Sequence, residues 1–144
     1  ILATDIDPTM LQAAQDGVYD PRSCTFPTPD HEARLFGKAG HTGPALRSIR
    51  PELKPLITFR RLNLVQPWPI TGKFDVIFCR NVVIYFDKPT QNQLWARFAE
   101  AMPPGAWLLI GHSERIAAPA EIGLDIAGIT AYRRAGTPTG PART

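Results

Sequence analysis

The sequence predicts an α/β domain of the doubly wound kind. A short apolar run (1–4) leads through a turn into a stretch with helical spacing. Later, an apolar strand (74–79), an amphipathic helix (88–102) and another apolar strand (106–113) follow one another. Strands alternating with helices mark that architecture, whose ligands lie in the crevice outside the carboxyl ends of the strands. A chain of 144 residues, 44% hydrophobic and 20% charged, is enough for one such domain with a real core.

The first strand, ILAT, ends in Asp5-Ile6-Asp7-Pro8, and PTMLQAAQDG then sets Met10, Leu11 and Ala14 on a helical spacing closed by Gly17. Residues 20–57 change character. Pro21, Pro27, Pro29, Pro44, Pro51 and Pro55, with Gly37, Gly40 and Gly43, leave only short apolar pieces around Leu35-Phe36 and from Leu46 to Ile49. This predicts an inserted, turn-rich β-subdomain of short strands without a helix layer. LITFRRLNL (56–64) resumes a strand on Ile57, Phe59 and Leu62, and QPWPITG is a loop. FDVIFC (74–79) reads as the most convincing core strand. KPTQNQLWARFAEAM (88–102) places Leu94, Phe98 and Met102 at i, i+4 and i+8, with Pro89 preset for the first turn and Pro103-Pro104-Gly105 as the stop. AWLLIGHS (106–113) is a further buried strand and Leu124 to Tyr132 a last strand or hairpin. The domain is thus expected over 1–134, and AGTPTGPART (135–144) is a disordered tail with nothing to bury.

Composition excludes several classes. The net charge of +3 is spread over short pairs such as Arg60-Arg61 and Arg133-Arg134, without the basic run interleaved with aromatics that nucleic-acid binders show. No apolar stretch approaches the roughly 20 residues that span a bilayer, and ILATDID has no targeting signature. A soluble, cytoplasmic protein is expected. Cys24 and Cys79 are too far apart for a metal knuckle, so no metal site is predicted, and Cys79 at a strand end reads as a buried free thiol. Ile1 already lies inside a strand, which makes the chain read as a fragment.

The residues just past each strand are therefore the ones that can meet a ligand. Asp7, directly before Pro8 at the first helical position, is well placed as an N-cap. Asp5 is left without a local structural task, and an acid there can accept hydrogen bonds from both ribose hydroxyls of a nucleoside; the alternative is a solvated turn aspartate. Asn63 offers a donor and an acceptor suited to an adenine edge, or is an ordinary turn asparagine. Arg80 and Asn81 interrupt an apolar run at a cost on the order of 1–3 kcal/mol for each group left unpaired out of water, which makes sense if they enter the crevice; otherwise they are solvated loop residues. Tyr85 is either a site phenol or an interior aromatic with a backbone partner.

ATDID at 3–7, NL at 63–64, FDVIFCRNVVIYFDKPTQ at 74–91 and GHSE at 111–114, in this order and spacing, resemble the CheR-type chemotaxis receptor methyltransferases, which are S-adenosylmethionine-dependent protein-glutamate O-methyltransferases. The resemblance covers nearly all of the chain except the tail. It implies a Rossmann-like class I methyltransferase sheet, truncated before the second strand. It implies that Asp5 holds the ribose, that Asn63 and Leu64 border the adenine, and that Cys79, Arg80 and Asn81 line the cofactor site. Tyr85 would stand near the methyl group and the incoming glutamate. The partners implied are the cytoplasmic domains of chemoreceptors (methyl-accepting proteins), and residues 20–57 match a β-subdomain that in some members docks a receptor C-terminal peptide by strand addition.

The implied reaction methylates receptor glutamates and leaves S-adenosylhomocysteine. A carboxylate ionised at neutral pH needs neither a general base nor a metal, so in-line positioning can supply the catalysis, with the Tyr85 phenol as a donor. The family's helical domain and first strand are missing here, and that strand belongs between those ending at Asp5 and Cys79. The isolated piece is expected to be inactive and unstable or self-associating. Pro103 stands where the family more often has a lysine, a change that should shorten the helix by about a residue. A serine hydrolase would need Gly-x-Ser-x-Gly, but Arg115 occupies the last position of GHSER, and His112 and Ser113 are expected to cap the strand end. The more serious alternative is a non-catalytic receptor-binding or regulatory module with a methyltransferase-like fold.

Overall fold

In the computed structural model, residues 1–37 and 46–136 are described. The chain forms two compact units, Ile1–Trp68 and Pro69–Thr144.

In the first unit, β1 (Leu2–Asp5) and β4 (Thr58–Arg61) pair in parallel, with Asp5 opposite Arg61. Helix α1 (Pro8–Asp16) packs on both strands. Its start follows the sequence: Pro8 supplies a preset φ, and the Asp7 carboxylate accepts the Thr9 N–H at 2.7 Å. Its end is equally local, since Gly17 adopts the left-handed φ of +62° and donates its N–H to the Ala13 carbonyl at 3.1 Å.

The segment after α1 contains β2 (Val18–Tyr19) and β3 (Arg47–Ser48), paired antiparallel, with a Phe36–Ile49 bridge beside them. Phe36 is buried, and Tyr19 and Phe26 meet it edge-on at 6.5 and 5.9 Å between ring centres. Within 20–57 the described residues hold one two-residue strand, β3, and the Phe36–Ile49 bridge. The expectation of no helix is corrected by α2 (Pro29–Leu35). Pro29 can begin a helix because its missing N–H is one of the orphans there, and Asp30 and Glu32 in the first turn suit its positive end. An Arg47–Glu32 ion pair at 2.9 Å ties β3 to α2. Gly40, Gly43 and Pro44 lie outside the described residues.

The second unit holds a four-stranded sheet in the order β5 (Val76–Cys79), β6 (Trp107–Ile110), β8 (Ala131–Arg134), β7 (Leu124–Ile126). β5 and β6 run parallel, with Cys79 opposite Ile110, and the other two pairings are antiparallel. Helix α3 (Lys88–Glu100) makes the crossover between the parallel strands. Asp87 caps it by accepting the Thr90 N–H at 3.0 Å, and the Thr90 side chain first, then that N–H, hold the Asp87 carboxyl below its usual range. Leu94, Trp95, Phe98 and Ala99 of α3, Leu108 and Ile110 of β6, Leu124 and Tyr132 are buried and form the core of this unit. The Tyr132 hydroxyl is not wasted there, since it accepts the Ile116 N–H at 3.3 Å.

The α/β class holds, in mixed form. The strands fall into separate hydrogen-bonded sets, the parallel β1–β4 pair, the small β2–β3 pair and the four-stranded sheet. The reading of 74–79 as a core strand is corrected. Among the described residues β5 pairs on one side only, and of its two faces the one carrying Val76 and Phe78 is open, 46% and 72% exposed, while Cys79 on the other face is buried. No helix among the described residues is long and apolar enough to cross a membrane. Most of the expected tail, 137–144, lies outside them.

Candidate functional site

Asp5 and Asn63 occupy one end of the β1–β4 pair. Asp5 is the last residue of β1, its neighbour across the ladder is Arg61, and Asn63 follows two residues later. Parallel pairing therefore delivers both to the carboxyl ends of their strands, where a crevice opens in α/β sheets. Asp5 is exposed, but it is not without a local task. Its Oδ1 accepts the Asp7 N–H at 2.9 Å and shapes the turn into α1, which corrects the sequence reading. Its Oδ2 has no partner among the described residues. The Asn63 Oδ1 accepts the Val65 N–H at 3.1 Å, so the turn role weighed for it is present, while its Nδ2 has no partner among the described residues. Leu64 is half-buried, and its carbonyl accepts the Trp68 indole N–H at 3.0 Å.

Cys79, Arg80, Asn81 and Tyr85 gather at the carboxyl end of β5. Cys79 is buried, and burial first, then the charge of Glu114, pushes its thiol up to about 12. At neutral pH it is a packed thiol and not a nucleophile. Arg80 stands exposed, with no hydrogen bond or ion pair among the described residues. Asn81 adopts φ +60°, the left-handed region that few residues other than glycine and asparagine occupy readily. Its side chain lies against Gly111, the first residue past β6. Tyr85 ends a short 3₁₀ turn, Val83–Tyr85, and is 81% exposed, its hydroxyl without a hydrogen bond among the described residues. In this chain the ring is not interior.

Sequence reasoning missed Glu114. It sits within the quoted GHSE run but was assigned no task. The expectation that His112 and Ser113 cap the strand end is corrected: both are exposed, and the buried Glu114 carboxylate closes that end by accepting three backbone N–H groups. A carboxylate so soon after a buried strand was the available signal, since an acid in that position must find donors. No group of three or more His, Cys, Asp or Glu side chains that could hold a metal occurs among the described residues.

Polar groups at strand ends and an exposed phenol are the arrangement that α/β proteins present to ligands. The chain belongs to the CheR methyltransferase family: the model described as "CheR methyltransferase, SAM binding domain" matches residues 1–131. It is 48% identical over 133 residues to the probable chemotaxis protein methyltransferase of Rhizobium etli, covering 92% of this chain and 50% of that protein. The chemotaxis protein methyltransferase of Klebsiella aerogenes is 43% identical over 117 residues, 79% of this chain and 40% of its own length. Chemotaxis protein methyltransferase 2 of Pseudomonas aeruginosa is also 43% identical, over 118 residues, 79% of this chain and 41% of its own. The chain spans about half or less of the curated relatives it matches, and the family it belongs to is one of S-adenosylmethionine-binding domains.

Proposed function

We propose that this chain forms part of an S-adenosylmethionine-dependent protein-glutamate O-methyltransferase that methylates glutamate side chains on the cytoplasmic domains of chemoreceptors. The observation that carries the reading is Tyr85, an exposed phenol with a free hydroxyl on a turn anchored from behind. The free Asp5 Oδ2 is the acceptor for the ribose hydroxyls, and the Asn63 amide, with Leu64, borders the adenine. Arg80 and Asn81 line the cofactor side beyond the buried Cys79. Bound S-adenosylmethionine supplies an electrophilic sulfonium methyl group. The chain's own residues then bind, orient and shield. Tyr85 donates to the incoming carboxylate and helps hold it in line, and no residue here need move a proton, because a glutamate is ionised at neutral pH.

The resemblance further supports a Rossmann-like sheet whose first strand is not in this chain, a β-subdomain over 20–57 and a cytoplasmic location. Strand addition of a receptor C-terminal peptide at that subdomain is a finer reading of the same kind. A non-catalytic module is not favoured, since the relatives are named as methyltransferases.

The test is calorimetric titration of S-adenosylhomocysteine into the complete protein, with Asp5→Ala alongside, followed by transfer of labelled methyl to a receptor cytoplasmic domain. Tight binding abolished by Asp5→Ala, with base-labile label on the receptor, is expected. Binding without any transfer would favour the non-catalytic module, and no binding would remove the cofactor reading.

A further inference from the structure

Glu114 is a buried carboxylate, only 4% exposed, with no ion pair among the described residues; the Arg115 guanidinium beside it donates to the Glu114 backbone carbonyl at 2.7 Å. Such a charge persists only where hydrogen bonds replace its water. Here they come from two separate turns. Its Oε1 accepts the N–H groups of Val82 at 3.1 Å and Val83 at 2.9 Å, just past β5, and its Oε2 accepts the N–H of Gly111 at 2.5 Å, just past β6. The amides it holds lie between Asn81 on one side and Tyr85 on the other.

We infer that Glu114 is a positioning residue for the cofactor and acceptor sites, acting through the backbone of Val82 and Val83 to fix Asn81 and the Tyr85 turn. The inference rests on the cofactor-site reading of those two residues. Asn81 stands at φ +60°, which asparagine tolerates, directly before the Val82 amide that Glu114 holds. Gly111 completes the clamp. A Cβ there would overlap the Asn81 side-chain oxygen and stand 2.9 Å from both the Asn81 nitrogen and Glu114 Oε2. The carboxylate is specific to the task because all three partners are donors. Glutamine, nearly the same shape, would turn an NH₂ toward at least one of them.

The experiment uses the complete protein with Glu114→Gln and, as a stability control, Leu124→Val in the core of β7, the opposite edge strand of the sheet. Glu114→Gln should weaken S-adenosylhomocysteine binding about tenfold or more and lower turnover at saturating cofactor by a similar factor, while Leu124→Val, melting earlier too, changes either by less than about twofold. Amide proton shifts of Val83 and Gly111 should move upfield in Glu114→Gln only. Wild-type affinity and turnover in Glu114→Gln overturn the inference, as does an equal loss in Leu124→Val. Should Glu114→Gln not fold, Gly111→Ala carries the test, and unchanged affinity there overturns it. Wild-type protein that binds no S-adenosylhomocysteine overturns the cofactor reading itself, whereas wild-type binding with an unaffected variant overturns the positioning role alone.

Discussion

Gln91, in the first turn of α3, donates its Nε2 hydrogens to the carbonyls of Val83 at 3.1 Å and Phe86 at 2.9 Å. The turn that carries Tyr85 is therefore anchored from the helix that follows it, in addition to the carboxylate that holds its amides. Gln91→Met keeps the length and removes the donors, leaving the partly buried Phe86 carbonyl without its donor and the Val83 carbonyl with the Phe86 N–H alone. It should cost about 1–3 kcal/mol in denaturant unfolding at neutral pH. No change in the midpoint would mean water replaces the side chain freely.

At Asn81 backbone and side chain make separable contributions. Asn81→Gly retains the left-handed conformation at no steric cost, so unfolding free energy should stay within about 1 kcal/mol of wild type. Cofactor affinity should fall nonetheless, because the amide group is gone. Asn81→Val should lose both, since a β-branched residue at that φ is strained. Equal affinity in wild type and Asn81→Gly would take the side chain out of the site.

Tyr85→Phe removes a hydroxyl that bonds to nothing among the described residues, so stability should stay within about 0.5 kcal/mol. In the complete enzyme turnover should fall more than S-adenosylhomocysteine affinity does. An unchanged kcat would remove the donor role.

Cys79 gives a pH prediction with a definite sign. Its thiol, raised from 9.0 to about 12 by burial and then by Glu114, keeps its proton in the folded state longer than in the unfolded one. The contribution to stability is complete below about pH 9 and is lost as pH climbs toward about 12, with a limiting slope of about 1.4 kcal/mol per pH unit. Unfolding curves of wild type and Cys79→Ala should diverge over that alkaline window, the wild type falling more steeply. Parallel curves would show that the thiol is not held protonated.

Several elements could be read before any coordinates because their signals are local. Pro89 before the Leu94-Phe98 spacing marked α3, and Asp7-Pro8 with Gly17 marked both ends of α1. The strand ends followed, and with them Asp5, Asn63 and Cys79 to Asn81. Helix α2 also carried its start in Thr28-Pro29-Asp30, but the surrounding prolines and glycines outweighed it. The exposure of Phe78 had no such mark, because a continuous apolar run looks the same whether one face of the strand is covered or both. Glu114 was hidden for another reason: its Val82 and Val83 partners lie 32 and 31 residues away, a distance over which no periodicity speaks.

The two kinds of pairing around β6 also set an order of events during folding. β7 and β8 are joined by residues 127–130 and can zip as a hairpin within roughly 1–10 μs. The β5–β6 ladder must wait for the whole stretch 80–106, α3 included, to find its place, and closing that longer loop is the slower step. Amide protection in a refolding pulse should thus reach Ala127, whose N–H the Ala131 carbonyl accepts across the hairpin, before Val83, and the reverse order would contradict it. A newly made chain would then hold a formed hairpin before the Asn81–Gly111 contact exists, so the capacity to bind would be among the last properties the second unit acquires.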